Sequence, residues 1–302
     1  MKKYITFDIG GTAVKYGIIN ENGELESQCE MATKAYLGGP DLVRRIIELV
    51  KKHQEDDALS GICISTGGIV DTETGTILYA NPNIPNYTGI KLKELLEKEC
   101  GIPCEVENDV VCAGIAELYK GEAAKSSIGI CLTIGTGIGC CIMIEGKVLH
   151  GFSYSAGEVG YMNMFGTQFE KLASSSALVE KVSQEKGCQA EALDGVMIFE
   201  MAKAGDKICI DAIEELCDKL GYGIANICYV LNPEVVVLGG GISAQREYLY
   251  ERVRESLDKY LIEPISKKTK LLFASQGNCA GMLGAYFNFC MKHQIERENE
   301  RI

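Results

Sequence analysis

Asp8 ends the apolar run Tyr4-Ile5-Thr6-Phe7. A carboxylate there is costly to bury unless it accepts hydrogen bonds or faces a cation, and a magnesium-phosphate complex would meet that need. Directly after it, Gly10 and Gly11 let backbone amides come close to phosphate oxygens, while Thr12 and Lys15 add a hydroxyl and a positive charge. A turn of the same make recurs at Thr133-Ile134-Gly135-Thr136-Gly137-Ile138-Gly139. Thr133, Gly135, Thr136 and Gly137 thus offer a second set of amides and hydroxyls, and two such loops facing each other would clamp a triphosphate.

A third cluster, Gly239-Gly240-Gly241-Ile242-Ser243-Ala244, follows the apolar run Val235-Val236-Val237-Leu238 and precedes a helical pattern. It formally fits the dinucleotide fingerprint G-x-G-x-x-A. That fingerprint wants an acid at the end of the next strand to hold a ribose, whereas Leu271-Leu272-Phe273-Ala274 runs into Ser275-Gln276. We therefore read Gly239, Gly240 and Gly241 as contacts on the adenosine side, with a nicotinamide-dependent enzyme as the alternative. The sequence contains no G-x-x-x-x-G-K-[ST], which disfavours a P-loop kinase.

Three further groups carry polar chemistry. Glu107-Asn108-Asp109 lies between a short strand and an amphipathic helix, so Asp109 is either a plain helix cap or a carboxylate kept ionised by the helix end, as a general base must be. Glu158, within Gly157-Glu158-Val159-Gly160-Tyr161, and Glu170 stand on irregular sequence; they are solvated loop acids or, with Asn81-Pro82-Asn83, a hydrogen-bonding set for a polyhydroxylated ligand.

To place these groups, strand-like runs alternate with helical patterns. Strands are expected at Tyr4-Phe7, Val14-Ile19, Gly61-Ser65 and Glu105-Glu107, with helices near Asp41-His53 and Leu92-Cys100 and from about Val110. The rhythm restarts with strands at Ile128-Ile134, Gly139-Ile144 and Lys147-Leu149. Helices follow near Ser174-Lys186, Asp211-Leu231 and Ala244-Tyr260, strands at Val235-Leu238 and Leu271-Ala274, and a last helix near Ala280-Met291. The restart and the echo of the Asp8 turn at Thr133 point to a duplicated α/β chain. Its expected parts are an N-terminal domain over 1–118 and a larger one over 119–285, with a helix at about 286–302 returning to the first.

Length and a 46% apolar content suffice for a sizeable core. Thirty basic against forty-two acidic residues leave −12, so no bulk surface for nucleic acid or an anionic membrane is expected, and any phosphate must be held locally. Met1-Lys2-Lys3-Tyr4-Ile5-Thr6-Phe7-Asp8 forms no apolar signal region, and a cytoplasmic location is expected. The fourteen cysteines include no C-x-x-C, and Cys63, Cys131, Cys140, Cys141 and Cys228 lie in apolar runs, as core thiols do. The histidines, His53, His150 and His293, are far apart and suggest neither a metal cluster nor a Ser-His-Asp triad.

Taken in order, Asp8-Ile9-Gly10-Gly11-Thr12, Gly67-Gly68-Ile69-Val70-Asp71, Asn81-Pro82-Asn83-Ile84-Pro85, Glu107-Asn108-Asp109, Ile134-Gly135-Thr136-Gly137-Ile138-Gly139, Gly157-Glu158-Val159-Gly160 and Pro233-Glu234 leading to Gly239-Gly240-Gly241 resemble the ROK family of sugar kinases and sugar-responsive repressors, nearly from end to end. The resemblance implies a two-domain actin-like ATPase (ribonuclease H-like) fold with duplicated βββαβαβα-type domains. It further implies transfer of the ATP γ-phosphate to a hexose or hexoside hydroxyl, usually at C6, with Asp109 as base and Asn83, Asn108, Glu158 and Glu170 around the sugar. Asp8 would serve the magnesium-nucleotide side, and a homodimer is implied. Many members continue from G-E-x-G-H into a C-x-C-G-x-x-G-C zinc segment; here Tyr161 replaces the histidine and no cysteine follows before Glu170, so structural zinc is not expected. Members without that segment include β-glucoside kinase-like proteins, which leaves free glucose, a glucoside and an N-acetylhexosamine such as N-acetylmannosamine all open. Family repressors carry a helix-turn-helix ahead of this body, whereas here the first turn begins at Asp8; a sugar-sensing regulator or a non-catalytic sugar-binding protein is the rival reading.

Overall fold

The computed structural model describes residues 2–80, 82–121 and 123–295. Asn81 of the expected sugar-binding set, and the expected run of the last helix from 296 to 302, lie outside the described residues.

The first half runs β1 (Lys3–Ile9), β2 (Ala13–Asn20), β3 (Leu25–Ala32), α1 (Gly39–Asp56), β4 (Leu59–Thr66), β5 (Ile69–Asp71), β6 (Thr76–Tyr79), α2 (Leu92–Cys100), β7 (Cys104–Asn108) and α3 (Asp109–Lys120). The second runs β8 (Ile128–Ile134), β9 (Ile138–Ile144), β10 (Lys147–Val148), β11 (Asn163–Met164), β12 (Thr167–Gln168), α4 (Glu170–Ala173), α5 (Ser175–Lys186), α6 (Gly195–Lys203), α7 (Lys207–Leu231), β13 (Val235–Gly239), α8 (Arg246–Tyr260), α9 (Glu263–Ser266), β14 (Lys270–Phe273) and α10 (Ala280–Lys292). Two five-stranded sheets result, ordered β3-β2-β1-β4-β7 and β10-β9-β8-β13-β14. In each, three antiparallel strands lead into parallel ones: β1 pairs in parallel with β4 and β4 with β7, as β8 does with β13 and β13 with β14. The same order and sense twice over is the duplication that the two glycine turns signal, in the actin-like ATPase arrangement.

The chain forms two compact units. Among the described residues, one takes those up to 119, 150–156 and 276–295, the other those in 120–149 and 157–275. The return to the first unit thus begins at 276 and not after 285, and residues 150–156 belong to the first unit as well.

Period-two alternation sets the faces of β1. Ile5, Phe7 and Ile9 join Leu42, Val43, Ile46 and Val50 of α1 and Leu92 and Leu96 of α2 in one buried cluster. Tyr4 points the other way, its ring 5.2 Å from Tyr286 and 5.4 Å from Phe289 of α10. The same alternation carries Asp8 to the α10 face. In the second unit Ile130, Leu132 and Ile134 of β8 pack with Leu216, Leu220 and Ile224 of α7 and with Leu249 and Val253 of α8.

Helix starts differ from the sequence expectation for local reasons. The Asp206 carboxylate accepts the Cys209 N–H at 3.1 Å, so α7 starts at Lys207, four residues before the expected Asp211. Residues Gly241–Gln245 form a 3₁₀ turn, which delays α8 to Arg246. Cys63, Cys131, Cys140, Cys141 and Cys228 are all buried; burial pushes the Cys140 thiol up to about 12 and that of Cys228 to about 11. Among the described residues, no helix is long and apolar enough to cross a membrane.

Candidate active site

Ligand sites in open α/β sheets lie beyond the carboxyl ends of parallel strands. In the first unit those ends are the Asp8 turn after β1, Ser65 to Gly68 after β4, and Asn108-Asp109 after β7. The Gly10 N–H donates to Ala13 O at 3.0 Å and the Thr33 hydroxyl to Gly10 O at 2.6 Å, which closes the turn and leaves Gly10, Gly11 and Thr12 exposed. A side chain at Gly11 would meet no atom within 4 Å, and its φ is not in the left-handed region. Neither packing nor backbone conformation therefore calls for glycine at 11, and the open space beside its Cα leaves the backbone accessible.

Asp8 accepts the Ser65 hydroxyl at 2.7 Å and stands opposite Lys15 in the β1–β2 ladder, on the same face. The neighbouring strand thus places a lysine at the register position facing this strand-end carboxylate. Gly281, in the first turn of α10, makes room for the carboxylate: a Cβ there would lie 2.5 Å from Asp8 Cγ.

Asp109 is the first residue of α3, and the capping role falls to its neighbour. Asn108 Oδ1 accepts the Val111 N–H at 3.0 Å, while Asn108 Nδ2 donates to Gly68 O at 2.8 Å. Relieved of capping, Asp109 accepts the Val110 N–H at 2.9 Å. Burial, and then the charge of Asp8, raise the Asp109 pKa; the helix-start amides and the Asn108 side chain oppose the rise. Asn83 lies exposed in the loop between β6 and α2.

In the second unit β8 and β13 are adjacent, with Thr133 beside Gly239, so the turns after them meet. Gly240 has φ +78°, and a Cβ on it would lie 2.5 Å from Ile134 O. Gly135 donates to Gly137 O at 3.0 Å and its own carbonyl accepts the Ser175 N–H at 2.8 Å, which seats the turn at the start of α5. Thr136 is exposed, and side chains at Gly135 or Gly241 would meet nothing within 4 Å. Thr133, Gly135, Thr136, Gly137, Gly239, Gly240 and Gly241, the residues expected on the nucleotide side, thus form one continuous rim.

Glu170 reaches that rim from below. Its Oε2 lies 2.5 Å from where a Gly137 Cβ would stand and 3.1 Å from that of Gly160. Phe169 fixes it: its fully buried ring occupies the space left by Gly223 of α7, where a Cβ would lie 2.3 Å from Cζ. Glu158 is exposed in the bend before Gly160. The stretch between Glu158 and Glu170 is a tight hairpin, β11 to β12, whose turn residues Phe165 and Gly166 take φ of +52° and +82°. The Phe165 ring lies 4.7 Å from that of Tyr222 and under the Lys219 ammonium at 4.4 Å. Among the described residues, no group of three or more His, Cys, Asp or Glu side chains is placed to hold a metal ion.

One pair was not visible in the sequence. His150 Nε2–H donates to Glu107 Oε2 at 2.7 Å, across forty-three positions. The only local signal was Glu107 itself, a buried acid in a short strand.

The ROK family model matches residues 4–290. An uncharacterized protein of Clostridium perfringens is 47% identical over 96% of this chain and 98% of its own length. A β-glucoside kinase of Klebsiella pneumoniae is 30% identical, over 95% and 96%. The solved structure of a ROK family glucokinase from Streptomyces griseus, in complex with glucose and AMPPNP, superposes with a TM-score of 0.80 at 29% identity, covering 94% of this chain and 97% of that one. With the ordered glycine turns, the doubled sheet and a family match over nearly its whole length, this chain belongs to the ROK family.

Proposed function

We propose that this chain is an ATP-dependent sugar kinase, which transfers the γ-phosphate to a hexose or hexoside hydroxyl at C6, with Asp109 as the general base. The observation that carries the reading is the division of labour at the start of α3: Asn108 caps the helix, and the Asp109 carboxylate is left for proton transfer. Phosphoryl transfer has a loose transition state, so the base chiefly orients the hydroxyl and takes its proton late. Asn108, Asn83, Glu158 and Glu170 would bind the remaining hydroxyls. Magnesium would neutralise charge on the phosphates. Asp8 fits it as an oxygen ligand of the kind that ion prefers, directly or through water, while the glycine rims hold phosphates and adenosine through their amides.

The sugar is left open by the relatives, whose names include a glucokinase and a β-glucoside kinase. Magnesium-dependent ADP formation is expected with at least one of glucose, mannose, N-acetylmannosamine, N-acetylglucosamine, allose, fructose, cellobiose and gentiobiose. Sugar binding by calorimetry without ADP formation would favour a sugar-sensing role instead. The β11–β12 hairpin takes the place of a metal-bound segment, and metal analysis of the purified protein is expected to find less than stoichiometric zinc.

A further inference from the structure

We infer that Glu107 and His150 are a positioning pair which fastens the segment 150–156 to the helix start bearing Asp109; the inference builds on the reading of Asp109 as base. Glu107 is buried, with 1% of its surface exposed, and it divides its two oxygens. Oε2 accepts from His150 Nε2 at 2.7 Å; Oε1 accepts the backbone N–H of Asn108 at 2.8 Å. A buried carboxylate without partners is costly, so both bonds hold their donors firmly. One donor is the cap of α3 and adjoins Asp109. The other opens a segment which leaves the second unit's strand β10, joins the first unit, and returns at Gly157, one residue before Glu158.

The segment has the marks of a backbone held in place. His150 O accepts the Ala156 N–H at 3.0 Å, closing the loop on itself. Gly151 takes φ +73° and Tyr154, a residue with a side chain to accommodate, +58°; such conformations persist where the surroundings determine them. The Asp71 carboxylate acts on the Tyr154 hydroxyl and raises its pKa, and the Tyr154 ring packs edge-on at 6.4 Å from that of His150. One carboxylate therefore sets both the helix that carries the base and the loop that leads to a sugar-side acid.

Hydrogen exchange of the ligand-free protein, read by mass spectrometry on the wild type, His150→Leu, His150→Gln and Glu107→Gln, tests the pair. His150→Leu removes the donor and is expected to speed exchange about tenfold or more at 150–156 and at 108–111, leaving β8 and β9 at their wild-type rates. His150→Gln keeps a donor and should restore most of the protection; Glu107→Gln should loosen both segments. In turnover, His150→Leu should lower kcat about tenfold while KM for ATP stays within about twofold, with glutamine again the milder change. Unchanged exchange in His150→Leu, or a rise spread evenly over the whole chain, overturns the proposal. Should the wild type turn over no sugar, the reading of Asp109 fails, and the exchange pattern alone decides the pair.

Discussion

Replacing Asp109 by asparagine is expected to lower kcat by about 10²–10⁴-fold, the range that general-base catalysis contributes, with sugar affinity within a few-fold of the wild type. Asparagine keeps an oxygen for the Val110 N–H, now at 2.9 Å, so the start of α3 should be undisturbed. It cannot take a proton. Stability sharpens the test, because the folded-state pKa of Asp109 is raised by burial and by Asp8. A carboxyl with a raised folded pKa contributes stability below its unfolded pKa and loses it as pH rises through the folded one. At neutral pH the ionised group is thus a burden on the fold, and Asp109→Asn should melt at the same temperature as the wild type or higher. An inactive variant that is also less stable would point to a structural part for Asp109; wild-type turnover would remove it as the base. The same direction of shift fixes the pH profile. The base must be ionised, so the acidic limb of kcat/KM should lie above the ordinary aspartate range, and in Asp109→Asn that limb should vanish.

How far the sequence carried this reading depended on whether a group's partners were local. The Asp8 turn and its echo at Thr133 were legible because each is a contiguous strand, turn and strand, and the turn chemistry lies within a few residues. β3 was not located, since Leu25–Ala32 has the look of a solvated segment: apart from half-buried Leu25 and Met31 its side chains are exposed, and pairing with β2 makes it a strand. Asp109 was found with two roles open, and the Val111 N–H, which donates to Asn108 Oδ1, gives the cap to Asn108. Glu170 was marked as an acid on polar sequence, but what seats it is a hole in α7 at Gly223, fifty-three positions away and filled by Phe169. Likewise, only the fold brings His150 to Glu107. Spacing in a sequence reports backbone requirements well, and side-chain partners across elements hardly at all.

Gly240 and Gly241 stand side by side and should fail in different ways when replaced by alanine. At Gly240 the backbone is left-handed and a Cβ would lie 2.5 Å from Ile134 O and 2.7 Å from Ile134 N. Left-handed backbone costs alanine about 1–2 kcal/mol, and intrusion into packed backbone about 1–3 more. The collision falls on the end of β8 immediately before Gly135, so relief must displace one glycine turn or the other. Gly240→Ala is therefore expected to lower the melting temperature by on the order of 10 °C and to raise KM for ATP about tenfold or more, with KM for the sugar little changed. Gly241→Ala meets nothing within 4 Å and is not left-handed, so its melting temperature should match the wild type. If the nucleotide passes close to this backbone, the added methyl still stands in its way, and KM for ATP should rise without any loss of stability. Wild-type ATP kinetics in both variants would take the Gly239-Gly240-Gly241 rim out of nucleotide binding, whereas a rise confined to Gly240→Ala would make the cluster a structural support for the Thr133 to Gly137 turn. Measuring melting temperature and KM for ATP on the same preparations separates these cases, because only a ligand can distinguish alanine from glycine at a position where the protein itself does not.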